Sequence, residues 1–183
     1  MKLAIFDMDG TLFDTNEVNF QAYREALLTE GVELDRDFYV NYCNGRHYTV
    51  FLPAMLNNDK EKIERVHNLK KSAYSRFLDK TRVNTVLFDI IRAIKNDYKI
   101  ALVTTASKKN TMEILEFAKA TELFDLILTH DDITKPKPDP QGFLRAMELF
   151  SSAPEECIIF EDSDVGIAAA EKTGASVVKI QRF

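Results

Sequence analysis

Short apolar runs alternate with longer stretches of mixed polarity along most of this chain. Five of the runs are bounded by polar residues and rich in aliphatic side chains: 3–6, 100–103, 126–128, 157–160 and 176–180. Such runs are typical of buried strands in a parallel sheet. Helical periodicity falls between the later runs, over 109–120, 141–150 and 165–173. We therefore predict an α/β fold, a Rossmann-like parallel sheet with helices on both faces.

The segment 15–83 interrupts this alternation. Amphipathic helical patterns begin near Val18 and again near Ile63, and no convincing strand run lies between them. A connection of this length is too long for a single crossover helix. We predict a small all-helical cap domain at 15–83, inserted after the first strand, and a catalytic core formed by 1–14 and 84–183.

Composition narrows the class of protein. A chain of 183 residues is long enough for one core, or for one core plus a small lid. Its content of 45% hydrophobic and 29% charged residues is typical of a globular protein. A net charge of -5 argues against a nucleic-acid surface and favours a small-molecule partner. No run reaches the length of a membrane span, so we expect no membrane partner. Two cysteines far apart in the chain indicate reduced thiols and a cytoplasmic protein. We also expect a monomer or a weak homodimer.

Two carboxylates, Asp7 and Asp9, directly follow the first apolar run, and Gly10 comes next. Glycine lets the chain leave strand geometry at once, so both acids can converge at the carboxyl end of the strand, where open α/β sheets bind ligands. We interpret Asp7 as a nucleophile that forms an aspartyl phosphate, and Asp9 as the general acid/base. A dehalogenase would not need Asp9, because halide leaves without a proton; the second acid therefore favours phosphoryl transfer.

Attack of a carboxylate on a phosphate dianion needs positive charge nearby. Two unit charges about 4 Å apart repel by ~4 kcal/mol at an intermediate dielectric. Lys135 and Lys137 are both candidates, since the prolines around them should stiffen the loop from 135 to 140. A surface basic loop is the alternative interpretation.

A metal ion is the second source of positive charge. Glu161 and Asp162 end the fourth apolar run, and oxygen ligands of this kind suit Mg²⁺. We expect Asp7 and Asp162 as direct ligands, the backbone carbonyl of Asp9 as a third, and Glu161 as a ligand either directly or through water. Asp164 is better explained as a helix cap.

Two threonines, Thr104 and Thr105, end the second run and precede a helix. A hydroxyl there can donate to a phosphate oxygen beside the helix N-terminus. Thr104 is the better candidate of the two, although a capping role is the alternative for both.

Taken together, the motifs resemble those of the haloacid dehalogenase superfamily, in its phosphatase/β-phosphoglucomutase-type subfamily. They occur in the order Asp-x-Asp-Gly-Thr, a hydroxyl after the second strand, Lys-Pro-x-Pro-Asp and Glu-Asp-Ser. The lysine pattern matches Lys135 and leaves Lys137 as the variable position. The resemblance implies a Rossmann-like core, a helical cap, Mg²⁺ dependence and small phosphorylated metabolites as substrates.

The resemblance also points to a loop in the cap. Residues 44–47 fall where similar proteins carry a substrate-facing loop, so Arg46 is a candidate to bind a second phosphate or an acidic group. A solvated loop arginine is the alternative.

The function expected from these residues is a Mg²⁺-dependent phosphatase that acts through an aspartyl phosphate. A sugar-phosphate mutase of the β-phosphoglucomutase type, using the same chemistry, is the alternative. A non-catalytic binder of phosphorylated ligands is a third, which the second acid Asp9 argues against.

Overall fold

The chain forms two compact units in the computed structural model, which describes residues 1–44 and 46–181. One unit contains Met1–Asp14 and Arg82–Phe183, and the other contains Thr15–Thr81. The catalytic core was predicted to resume at residue 84, whereas the first unit resumes at Arg82. The reason is a short antiparallel pairing of Phe13–Asp14 with Arg82–Val83, which holds both ends of the insertion in the first unit.

The main sheet has five parallel strands in the described part of the chain. In chain order the strands are β1 (Leu3–Phe6), β2 (Phe13–Asp14), β3 (Arg82–Val83), β4 (Lys99–Val103), β5 (Leu126–Leu128), β6 (Cys157–Glu161) and β7 (Ser176–Lys179). The spatial order of the main sheet is β5-β4-β1-β6-β7. All four pairings are parallel, with Leu3 opposite both Lys99 and Cys157. The predicted Rossmann-like fold is confirmed.

The central position of β1 explains its sequence. Its four residues are fully buried, because strands flank it on both sides and helices cover the sheet. Side chains from β1, β4, β6 and the helices form one apolar cluster that includes Ile5, Val103 and Phe143. This packing fixes where β1 ends, and therefore where Asp7 lies.

The helices of the described chain follow the predicted pattern closely. They are α1 (Asn16–Leu28), α2 (Arg36–Phe38), α3 (Tyr48–Met55), α4 (Lys60–Ala73), α5 (Thr85–Ile94), α6 (Lys108–Phe117), α7 (Gln141–Leu149) and α8 (Asp164–Glu171). Side chains of Asn84, Ser107 and Ser163 cap α5, α6 and α8 by accepting from backbone N–H groups. None of the helices in the described ranges combines the length and apolar composition that crossing a membrane requires.

The inserted unit is helical throughout its regular elements, as far as residues 15–44 and 46–81 describe it. Besides α1 to α4 it contains a π-helical turn, Tyr39–Cys43, and a 3-10 segment, Tyr74–Lys80. Its own apolar cluster includes Leu27, Leu52 and Val66, which are fully buried. The insertion therefore has a core separate from that of the sheet.

Candidate active site

The sheet topology brings two acidic strand ends together. The chain leaves β1 toward β4 on one side, whereas β6 lies on the other side of β1. Ligands bind at such a reversal point, outside the carboxyl ends of the strands. Asp7 follows β1 and Glu161 ends β6, and the Asp7 N–H donates to the Phe160 carbonyl at 3.0 Å.

Asp7 is buried, with 6% of its surface exposed, and it faces a buried lysine. Its Oδ1 accepts a hydrogen bond from Lys137 Nζ at 2.5 Å. Burial raises the pKa of the Asp7 carboxyl well above its usual range, and Lys137 opposes that rise without cancelling it. Glu161 and Asp9 also raise it, because both carboxylates lie near Asp7.

The lysine is held by three acceptors. Besides Asp7, its Nζ donates to Glu161 Oε1 at 2.7 Å and to the Val103 carbonyl at 3.3 Å. Burial alone would lower the pKa of Lys137, but the carboxylates of Asp7 and Glu161 outweigh burial and raise it. Lys137 is therefore a fixed positive charge beside Asp7.

Gly10 shapes the turn that follows β1. It adopts a positive φ of 89°, and its N–H donates to the Phe13 carbonyl at 2.7 Å. A Cβ atom at this position would lie 2.2 Å from Asp162 Oδ2. Glycine is therefore required both for the turn and for the close approach of Asp162, whose Oδ1 accepts from Thr11 Oγ1 at 3.1 Å.

Glu161 is oriented from both sides of its carboxylate. Oε1 faces Lys137, while Oε2 accepts from the Ser163 N–H at 2.7 Å and from the Ser163 hydroxyl at 3.0 Å. A Cβ on Gly166 would lie 1.7 Å from Glu161 Oε1, so the start of α8 must carry glycine there. These contacts fix the orientation of the Glu161 side chain, so that its carboxylate lies in the site.

The acids of the site fit a divalent cation. Carboxylate oxygens of Asp7, Glu161 and Asp162 all lie within 4.8 Å of one another. Lys137 Nζ pairs with two of these acids, Asp7 and Glu161, while Asp162 accepts from the Thr11 hydroxyl. Oxygen donors of this kind suit Mg²⁺.

Comparison with known proteins gives the family. The family model described as haloacid dehalogenase-like hydrolase matches residues 4–180. The chain belongs to the haloacid dehalogenase-like hydrolases. The family predicted from the motifs is thereby confirmed.

Relatives of this family cover nearly the whole chain. A protein of Thermotoga maritima named "Phosphorylated carbohydrates phosphatase" is 30% identical over an alignment of 181 residues that covers 95% of this chain and 82% of that protein. The crystal structure of CbbY from Rhodobacter sphaeroides in complex with phosphate has a TM-score of 0.86 at 26% identity, covering 100% of this chain and 88% of that one. A putative β-phosphoglucomutase from Thermotoga maritima has a TM-score of 0.76 at 27% identity, with the same coverage of the two chains.

The structure corrects the choice of lysine in this haloacid dehalogenase-like site. The prediction gave Lys135 the place beside Asp7, but Lys135 is exposed and its backbone N–H donates to Gln141 Oε1 at 2.8 Å. Lys137 has the predicted position instead. Lys-Pro-x-Pro occurs twice here in overlapping registers, and Asp139 favoured the first because it completed the five-residue pattern. In the fold, Asp139 Oδ1 accepts from the Gln141 N–H at the start of α7.

The predicted hydroxyls differ in burial. Thr104 is 1% exposed, directly after β4, and its Oγ1 accepts from the Ala106 N–H at 3.1 Å. Thr105 is exposed. This contact lies in the turn before α6, whose cap is Ser107 and not Thr104. Phosphate binding by either threonine stays a prediction.

Asp9 belongs to the first unit and Arg46 to the inserted unit. Asp9 is half-buried and forms an isolated β-bridge with Phe13. Arg46 is exposed in the inserted unit, where its N–H donates to the Cys43 carbonyl at 3.0 Å. Gly45 of the same loop lies outside the described residues. The roles of Asp9 and Arg46 stay predictions.

Sequence reasoning missed two residues that hold the acids in place. Thr11 bonds Asp162, and Ser163 bonds Glu161. Both residues lie inside the motifs Asp-x-Asp-Gly-Thr and Glu-Asp-Ser, so the signal was present. Their function depends on side-chain directions that only the folded turn defines.

Proposed function

We propose that this protein is a Mg²⁺-dependent phosphatase that hydrolyses a small phosphorylated metabolite through an aspartyl phosphate on Asp7. The observation that carries the proposal is the pairing of a buried aspartate with a buried lysine inside a cluster of three carboxylates. Lys137 Nζ bonds Asp7 and Glu161, and a carboxylate oxygen of Asp162 lies within 4.8 Å of theirs. A cluster of acids and a lysine at the carboxyl ends of the strands is suited to a cation and a reacting phosphate.

The proposed reaction has two displacements at phosphorus. An Asp7 carboxylate oxygen attacks the phosphorus, the bond to the substrate oxygen breaks, and Asp9 gives its proton to that leaving oxygen. Water then attacks the phosphorus of the aspartyl phosphate, Asp9 takes a proton from the water, and inorganic phosphate leaves. The two steps regenerate Asp7 as a carboxylate and Asp9 as an acid.

The charged residues around Asp7 have distinct parts in this proposal. Lys137 lowers the repulsion between the Asp7 carboxylate and the approaching phosphate, because its ammonium is already held against Asp7. Mg²⁺ would be held by Asp7, Asp162 and the backbone carbonyl of Asp9. Glu161 would bind the ion either directly or through water. When bound, the ion supplies further positive charge for the phosphate oxygens. Thr104 and Arg46 are the proposed contacts to the substrate's phosphate and to a second acidic group, respectively.

The relatives support the class of reaction. One bears the name of a phosphatase of phosphorylated carbohydrates, and the CbbY structure holds phosphate. The structure of a putative β-phosphoglucomutase favours a mutase as the second candidate, in which the aspartyl phosphate passes to another hydroxyl instead of to water.

Product analysis tests the proposal and separates the two candidates. The purified protein is incubated with Mg²⁺, or with excess EDTA, and with sugar phosphates, nucleotides, phosphoglycolate, and flavin or pyridoxal phosphates. We expect release of inorganic phosphate from at least one class with Mg²⁺, and its loss with EDTA. A second incubation contains β-glucose 1-phosphate and a bisphosphate primer. Isomerised sugar there, with no phosphate released from any substrate, would contradict hydrolysis and support the mutase.

Replacement of Asp9 by asparagine tests the acid/base assignment. The amide keeps the shape of the side chain but transfers no proton, so kcat should fall by about 10²- to 10⁴-fold. KM should change little, because Asp9 acts on the leaving oxygen and not on the bound phosphate. Steady-state kinetics on p-nitrophenyl phosphate and on an alkyl phosphate measures the effect. The loss should be larger for the alkyl substrate, whose poorer leaving group needs the proton more; an unchanged kcat on both would contradict the role.

A further inference from the structure

The loop that carries Lys137 has few backbone donors of its own. Between 134 and 140 it contains Pro136, Pro138 and Pro140, which have no N–H group. Its internal backbone bond joins the Asp139 N–H to the Pro136 carbonyl at 3.0 Å. The position of Lys137 therefore depends on side chains that attach the loop to the fold.

Gln141, the first residue of α7, attaches the loop at its base. Its Oε1 accepts from the N–H of Thr134 at 2.7 Å and from the N–H of Lys135 at 2.8 Å. Its Nε2 donates to Thr134 Oγ1 at 3.0 Å. One side chain thus joins the beginning of the loop to its end, across seven residues.

We propose that Gln141 is the positioning residue for Lys137, because its amide closes the loop that holds the ammonium against Asp7. The inference rests on the proposed function, in which that ammonium assists attack by Asp7. Gln141 itself touches neither Asp7 nor Glu161 among the hydrogen bonds of the described residues, so it acts through the loop.

The lysine head tolerates little displacement. Its bonds to Asp7 at 2.5 Å and to Glu161 at 2.7 Å reach the ends of two neighbouring strands of the sheet, so a shifted loop cannot keep both. Misplacement of a catalytic group by about 1 Å can cost on the order of 10²-fold in rate. Lys172 forms a second contact with the loop, because its Nζ donates to the Pro138 carbonyl at 2.8 Å. Lys172 is exposed, so this hydrogen bond should constrain the loop less than those of Gln141.

Two variants of Gln141 test whether the loop needs the acceptor oxygen of the amide or only a side chain of similar size. Gln141→Leu removes both backbone hydrogen bonds, and kcat should fall by roughly tenfold to a hundredfold with a smaller change in KM. Gln141→Glu keeps an oxygen acceptor for the two N–H groups and should stay within about threefold of the native kcat. Gln181→Leu makes the same exchange at an exposed residue after β7 and should leave kcat and KM unchanged.

Chemical labelling of lysines reads the position of Lys137 without any activity. The native protein and the variants are treated briefly with acetic anhydride, and modification is quantified by peptide mass spectrometry. Lys137 should be protected in the native protein, since its side chain is 8% exposed and bonded to two carboxylates. Exposed Lys135 is the internal reference. We expect Gln141→Leu to increase Lys137 labelling several-fold relative to Lys135, and Gln141→Glu to leave the ratio native.

The outcomes distinguish this inference from the proposed function. Increased Lys137 labelling together with reduced kcat in Gln141→Leu supports both. Increased labelling in a protein that hydrolyses no phosphate ester supports the positioning of Lys137 and overturns the proposed function. If Lys137 stays protected and kcat is native in a folded Gln141→Leu variant, the positioning role is overturned. A change confined to the melting temperature, with both readouts native, overturns it as well.

Discussion

Asp7→Asn should lower kcat for phosphate release by on the order of 10⁴-fold or more, which corresponds to about 5 kcal/mol of transition-state stabilisation. The amide has nearly the same shape as the carboxylate but is no nucleophile, so no aspartyl phosphate forms. Phosphate binding should be retained, because the substitution removes a negative charge from the site. The fold should be retained too, since Lys137 keeps Glu161 as its partner.

Two measurements establish the role of Asp7. Steady-state kinetics with Mg²⁺ gives the loss in kcat, and an acid-quenched reaction analysed by mass spectrometry detects a phosphoryl group on the peptide that contains residue 7. The native protein should carry that group and Asp7→Asn should not. Asp131→Asn is the matched control, an exposed acid just after β5 at the same edge of the sheet, with an expected effect below about twofold. Equal rates for Asp7→Asn and the native protein would reject Asp7 as the nucleophile.

Lys137→Met should be far more damaging than Lys135→Met. Methionine keeps the apolar stem of lysine but removes the ammonium, so Asp7 and Glu161 are left facing each other without compensation. Loss of one such electrostatic contributor costs about 10²- to 10³-fold in kcat. Removing one partner of a buried ion pair also destabilises a fold by about 3–5 kcal/mol. Lys135 is exposed, so its replacement should stay within about 0.5 kcal/mol and leave kcat nearly native.

Kinetics and urea unfolding on the two variants provide the comparison, with each lysine serving as the control for the other. If Lys137→Met does not fold, Lys137→Gln takes its place in the comparison, because glutamine retains hydrogen-bond donors but has no charge. A Mg²⁺ titration of both variants adds a second readout, because the acids around Lys137 are the proposed metal ligands. The opposite ranking, with Lys135→Met the more impaired, would restore the lysine favoured by the sequence motif.

Much of the sheet could be predicted because buried parallel strands need apolar side chains on both faces. β1 and β5 coincide with their predicted runs, while β4 begins one residue earlier, at Lys99, and β6 extends one residue further, to Glu161. The extra residues are polar or charged ends that pair with a neighbouring strand. A hydropathy pattern does not register such ends, because backbone pairing determines them and not side-chain burial.

The two-residue strands β2 and β3 could not be predicted, and with them the first unit resumes at Arg82 and not at the predicted residue 84. Each is too short to show alternation, and β3 is exposed. Their pairing joins Phe13–Asp14 to Arg82–Val83 across the whole inserted unit. A contact between residues so distant in the chain leaves no local pattern to detect.

By itself, the sequence determined the sheet edge at which Asp7, Glu161 and Asp162 meet, because strand polarity and the position of each acid after an apolar run decide that. It also determined the family, through motifs that span the chain. Only the tertiary structure decided which lysine accompanies them. Two lysines two residues apart share the same local pattern, and the path of the loop selects between them. That path depends on Gln141 at the loop's base and on Asp7, Glu161 and the Val103 carbonyl around the ammonium, all contacts made across the fold.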